Sequence, residues 1–150
     1  MKRMLTKVAL SSMVVLMSVS VLASSGWLTN WPEAQKLSAE KNKPILIDFS
    51  GSDWCGWCIK LDNEVFSKPA FKEYANINLI LFLADFPQAK KQTEAVKTQN
   101  NMLASKYKVK GYPTVVLVDS KGKAILRTGY ARGGPEKYIK KLKQAISKQK

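Results

Sequence analysis

The only two cysteines of this 150-residue chain stand three positions apart, in Trp54-Cys55-Gly56-Trp57-Cys58, just after an apolar run and a polar turn. The run is Ile45-Leu46-Ile47-Asp48-Phe49 and the turn is Ser50-Gly51-Ser52-Asp53, so the sequence predicts a buried strand, a turn and a helix beginning near Cys55. Two cysteines so spaced share one helical turn and can bridge only if the first stands at the helix terminus. There, Cys55 meets the positive end of the helix dipole and unpaired backbone N–H groups. Both favour the thiolate and lower its pKa below the free value of roughly 8.5. Cys58 lies one turn deeper, is shielded, and titrates higher. The asymmetry divides the labour: Cys55 attacks a disulfide, and Cys58 resolves the mixed disulfide that results.

Other uses of a cysteine pair fit less well. A structural bridge over so short a loop restricts the unfolded chain little, by roughly 2 kcal/mol. Zinc needs two further ligands, and the chain has no other cysteine and no histidine. Covalent haem attachment needs histidine after the second cysteine, where Ile59 stands. The lack of histidine also removes an imidazole base and any Cys–His hydrolase pair. Neither a metal nor a cofactor is expected.

Asp48 interrupts an otherwise apolar strand, where a carboxylate is costly to bury without a partner or a task. Two readings stand. Beneath the dithiol, near Cys58, a buried carboxyl with a raised pKa suits proton transfer to and from Cys58. Turned outward at the strand end, it would cap the neighbouring loop. In Gly111-Tyr112-Pro113-Thr114, Pro113 directly precedes an apolar strand, which its missing N–H permits only at the strand start, in a cis or trans bond. A cis bond there would turn the Tyr112 backbone toward the dithiol and offer an extended substrate main-chain hydrogen bonds.

Elsewhere a helix is expected from about Thr29 to Lys41, a helix from Cys55 to Val65, a short one from Ser67 to Tyr74, a strand over Leu79 to Ala84 and a helix over Thr93 to Tyr107. Thr114 to Val118 and Ala124 to Leu126 form a hairpin about Asp119-Ser120-Lys121-Gly122, and a helix from Pro135 to about Lys148 closes the chain. Strands separated by helices imply a parallel pair with right-handed crossovers, and the late hairpin adds an antiparallel edge. The fold class is α/β, with a mixed central β-sheet flanked by helices.

The N-terminus reads as a leader. Lys2, Arg3 and Lys7 precede a run of about 15 largely apolar residues, short for a membrane span, which ends in small residues. Residues 1–23 are expected to be a signal peptide cleaved after Ala23, with Ser25 the alternative, and residues 24–150 the mature domain. An uncleaved anchor is the competing reading. Loss of the three basic residues takes the formal net charge from +14 to +11. The lysines are scattered or at helical spacing, as in Lys137, Lys140, Lys141 and Lys143, without a base-reading motif, so a solvated basic surface is expected and no nucleic acid.

Together, Asp48-Phe49, Trp54-Cys55-Gly56-Trp57-Cys58, Gly111-Tyr112-Pro113-Thr114 and the Asp119 to Gly122 hairpin resemble the thioredoxin superfamily in order and spacing, over about Trp31 to Ile146. The resemblance implies the thioredoxin fold, the family's buried acid at Asp48 and its cis-proline at Pro113. Leu61 to Phe66, and Ser67 to Phe71 beyond, are similar to periplasmic thioredoxin-like reductases, namely DsbH-type proteins and the C-terminal domain of DsbD-type transporters. Trp54, Gly56, Trp57, Tyr112 and Pro113 then become substrate-binding candidates. The dipeptide Gly56-Trp57 departs from thioredoxin's Gly-Pro, and the Ser50 to Asp53 loop looks one residue longer, so thioredoxin's own role does not transfer directly. Strong oxidases of the superfamily carry histidine between the cysteines, which tilts this chain toward a periplasmic reductase of disulfide-containing proteins, recharged by a membrane-embedded electron donor of DsbD type. An exported oxidase and a non-catalytic binding module are the alternatives. No dimerisation segment precedes the domain, so an isomerase is disfavoured and a monomer expected.

Overall fold

A computed structural model describes residues 26–149; the expected signal peptide and its cleavage site lie outside them. The helices are α1 (Trp31–Lys41), α2 (Gly56–Leu61), α3 (Pro69–Asn78), α4 (Glu94–Lys106) and α5 (Gly134–Ser147). The strands are β1 (Trp27–Leu28), β2 (Ile45–Ser50), β3 (Ile80–Asp85), β4 (Thr114–Val118) and β5 (Ala124–Thr128). Local chemistry sets several boundaries. Asn30 caps α1 by accepting the Glu33 N–H at 3.0 Å, and Pro32 fills the first turn, where its missing N–H is not needed. Asn42 ends that helix in the left-handed conformation, φ 49°, which asparagine tolerates.

The sheet runs β1-β3-β2-β4-β5, with β1 and β2 parallel to β3, and β4 antiparallel to both β2 and β5. Every residue of β2 is buried because the strand is central and covered on both faces. Strand alternation assigns the faces. Ile45, Ile47 and Phe49 pack with Trp31 and Ala34 of α1 and with Leu103 and Tyr107 at the end of α4. Leu46 packs on the other face with Phe71 and Ala75 of α3 and with Tyr138 and Leu142 of α5. Truncating a fully buried Phe71 to alanine would cost about 3–5 kcal/mol at such a site. Asp48 and Ser50 continue the Leu46 face, toward α2.

Three departures from the sequence expectation have local causes. The two residues of β1 pair with Leu81 and Phe82 at the sheet edge, a strand too short to show periodicity. The helix expected from Cys55 to Val65 is α-helical only to Leu61, and Asp62–Phe66 forms a π-helical turn closed by the Ser67 N–H on the Asp62 carbonyl at 2.8 Å. Widening the turn stacks residues five apart, so Leu61 and Phe66 both reach the core along with Val65. Finally, α3 runs on past Tyr74 to Asn78, because Ala75 continues its buried face.

Candidate active site

Cys55 is the cap of α2. Its backbone is extended, its Sγ accepts the Cys58 N–H at 3.2 Å, and it is joined to Cys58 by a disulfide with the Cα atoms 5.2 Å apart. The Gly51 carbonyl accepts the N–H groups of Trp54 and Cys55 at 3.2 and 2.8 Å, which folds the turn onto the helix start. The Trp54 indole lies so close over Gly51 that a Cβ there would collide with it. Around Gly56, by contrast, a Cβ would meet nothing. Both cysteines are buried.

Asp48 faces the dithiol side. Its side chain and Cys58 line one cavity of about 290 Å³, with Trp27, Ser50, Asp62, Phe66 and others around them. The outward, loop-capping reading of Asp48 is therefore not the one adopted: the residue is 7% exposed and its Oδ1 has no hydrogen-bond partner. Burial, followed by the charges of Asp62 and Asp85, raises its pKa from 3.8 to about 7. Tyr138 descends from α5 onto the same face with an unpartnered buried hydroxyl, and burial and then the charge of Asp48 push its phenol pKa upward.

The remaining candidates form the rim. Tyr112–Pro113 is a cis peptide bond, and Thr114 pairs with Phe49, which sets it beside the end of β2 where the turn to Cys55 departs. Gly129, just past β5, packs so closely on the Pro113 carbonyl that a Cβ would clash. The Trp54 Nε1–H donates to the Phe86 carbonyl at 2.8 Å, and its ring meets Tyr112 edge-on at 5.8 Å. Tyr112 also packs on Phe86 at 5.1 Å. Trp57 leans the other way, onto Tyr130, also at 5.1 Å. Among the described residues no cluster of histidine, cysteine, aspartate or glutamate side chains is arranged to hold a metal ion.

The geometry is thus a redox pair at a helix start, over a buried acid and beside a cis-proline loop, carried on a mixed five-stranded sheet. A family model described as a thioredoxin-like domain matches residues 31–146. The chain belongs to the thioredoxin-like family. Among curated proteins it is 38% identical over 117 residues to the disulfide bond reductase DsbH of Chlamydia pneumoniae, covering 78% of this chain and 70% of that one. It is 29% identical over 99 residues to the thiol:disulfide interchange protein DsbD of Photorhabdus laumondii, covering 65% of this chain but 16% of the relative. Among solved structures, a DsbH oxidoreductase superimposes with a TM-score of 0.78 at 35% identity, over 91% of this chain and 95% of the other. With the Cys55–Cys58 pair in place, this thioredoxin-like chain is a DsbH-like thiol–disulfide oxidoreductase.

Some residues of the thioredoxin-like site carry no signal in the sequence. Asp53 accepts the N–H groups of Gln88, Ala89 and Lys90 at 2.9, 2.8 and 3.0 Å, which ties the turn before Cys55 to the loop after β3 and holds its carboxyl pKa down. Asp85 accepts from Ser52 N–H and Oγ–H at 2.9 and 2.6 Å and braces the same turn. Tyr130 and Gly129 reach the rim through the tertiary fold alone. A polar turn residue reads the same whether or not a distant loop supplies its partners.

Proposed function

We propose that the chain is an exported protein-disulfide reductase in which Cys55 attacks, Cys58 resolves and Asp48 handles the proton. The observation that carries this reading is the meeting of Cys58 with a buried carboxyl of pKa about 7 in one cavity. In the reduced enzyme the Cys55 thiolate attacks one sulfur of a substrate disulfide, forms a mixed disulfide and releases the first substrate thiolate, which takes up a proton. Asp48 then takes the Cys58 proton, and the Cys58 thiolate attacks the Cys55 sulfur. That closes the Cys55–Cys58 disulfide and releases the second substrate thiolate, to which the proton passes. Two electrons leave the enzyme dithiol and one substrate disulfide becomes two thiols. The rim of Trp54, Gly56, Trp57, Tyr112 and Pro113 holds the substrate segment in extended form.

The reducing direction is supported by the absence of histidine beside Cys55, by the buried acid, and by the name of the DsbH relative, a disulfide bond reductase. Export to the periplasm is supported by the basic, apolar and small-residue order of residues 1–23. Likeness to part of DsbD supports a place in a thiol relay, with a dithiol protein of the membrane reducing the Cys55–Cys58 disulfide after each turnover. Insulin reduction by a small-thiol donor tests the reading. The chain should accelerate precipitation of the insulin B chain well beyond the donor alone; a rate equal to donor alone would overturn it.

A further inference from the structure

Of the two residues between the cysteines, Trp57 is held by a closed set of contacts. Trp57 is 55% exposed, and an indole so open to water would ordinarily turn among rotamers. Here its ring packs on Tyr130 at 5.1 Å and 44°. The Lys60 ammonium sits over both rings, 5.3 Å from Trp57 and 5.4 Å from Tyr130. The Tyr130 hydroxyl donates to Glu64 Oε2 at 2.7 Å, and Glu64 Oε1 pairs with Lys60 at 3.8 Å. Trp57, Lys60 and Glu64 follow at helical spacings along α2 and the π-helical turn, whereas Tyr130 comes from the segment after β5. Tyr130 is thus the one member of the set anchored outside that helical stretch, one residue beyond the Gly129 that abuts Pro113.

Trp54, on the other flank, is pinned separately to the loop after β3. The indoles that precede Cys55 and Cys58 in the chain are therefore each held by contacts of their own, with half-buried Tyr112 and Phe86 extending the aromatic surface beside Trp54. Such walls offer carbon rather than hydrogen-bonding groups to an incoming segment, so they reward a substrate that brings an apolar side chain beside its cysteine.

We propose that Tyr130 is a positioning residue that fixes the Trp57 indole as one wall of the substrate cleft, so that the enzyme selects disulfides flanked by an apolar side chain. This rests on the reading of the chain as a disulfide reductase. The test uses two peptides, each closed by one internal disulfide and identical except for Leu or Gly beside the first cysteine. The full enzyme should reduce the Leu peptide with the higher kcat/KM, the difference lying in KM. Tyr130→Phe keeps the ring but loses the Glu64 bond, and should shrink the Leu-to-Gly ratio by roughly three- to tenfold. Glu64→Ala breaks the same bond and should act alike, while Glu64→Gln, which keeps an acceptor, should hold most of the preference. The Trp57 indole N–H should show a lower NMR order parameter in Tyr130→Phe than in the parent. An equal ratio in parent and Tyr130→Phe, with both active, overturns the role of Tyr130 and leaves the reductase standing. Failure of the parent to reduce either peptide overturns the reductase reading itself, and this inference with it.

Discussion

Asp48 and Cys58 line the same cavity of about 290 Å³, though one reaches it from the middle of a fully buried strand and the other from the first turn of a helix. Nothing in the protein satisfies the Asp48 Oδ1 there, so the ionised form pays for desolvation without a compensating bond.

That burial has a consequence for stability. The Asp48 pKa is 3.8 when exposed and about 7 in the fold, so the carboxyl favours folding fully below pH 3.8. The contribution is lost as pH rises from about 3.8 through about 7, because over that range the unfolded chain has released a proton that the native state still holds. Oxidised Asp48→Asn should be more stable than the parent at pH 8, by up to about 4 kcal/mol, and should converge with it near pH 3. Urea unfolding of both across this range checks it; a difference independent of pH would contradict the buried acid.

The same substitution should slow resolution. With no carboxylate to take the Cys58 proton, the reductive half-reaction should fall by about a hundredfold, and its rise with pH through about 7 should disappear. Single-turnover fluorescence of the reduced enzyme with a peptide disulfide reads both. An unchanged pH profile would remove Asp48 from the mechanism.

The two cysteines should be unequal in the reduced protein. Cys55 caps α2 and faces the Cys58 N–H, so iodoacetamide at neutral pH should label Cys55 first. Cys58→Ser should accumulate mixed disulfides with substrate through Cys55, whereas Cys55→Ser should accumulate few. Equal labelling rates, read by mass spectrometry of tryptic peptides, would contradict the assignment.

Gly129→Ala would drive a Cβ into the Pro113 carbonyl. The close approach, not turn freedom, is what requires glycine here. The variant should lose about 1–3 kcal/mol of stability and reduce peptide disulfides more slowly as the proline loop is pushed out of place. Denaturant titration and kcat/KM together check this.

The sequence made the mixed sheet, its helices and the Cys55–Cys58 chemistry legible because each is written in neighbouring residues. Asp48 stood out as the one charge in an apolar strand, and which way it turned is read only from the fold, which sets it with Cys58, Phe66 and Trp27 about one cavity. The π-helical turn was hidden because Leu61 and Val65 fit an α-helix equally well, and Phe66 gains its core position only in three dimensions. The Asp53 bonds to residues 88–90 and the Tyr130–Glu64 bond join segments far apart in the chain, and local pattern carries no record of such partners.

The central claim is that the Cys55–Cys58 pair gives electrons, and its reduction potential tests this most directly. Equilibration of the purified protein with glutathione buffers, followed by thiol trapping, should place it on the reducing side, near thioredoxin's value of about −270 mV. A value near the roughly −120 mV of a strong oxidant such as DsbA would reverse the direction and make the chain an oxidase.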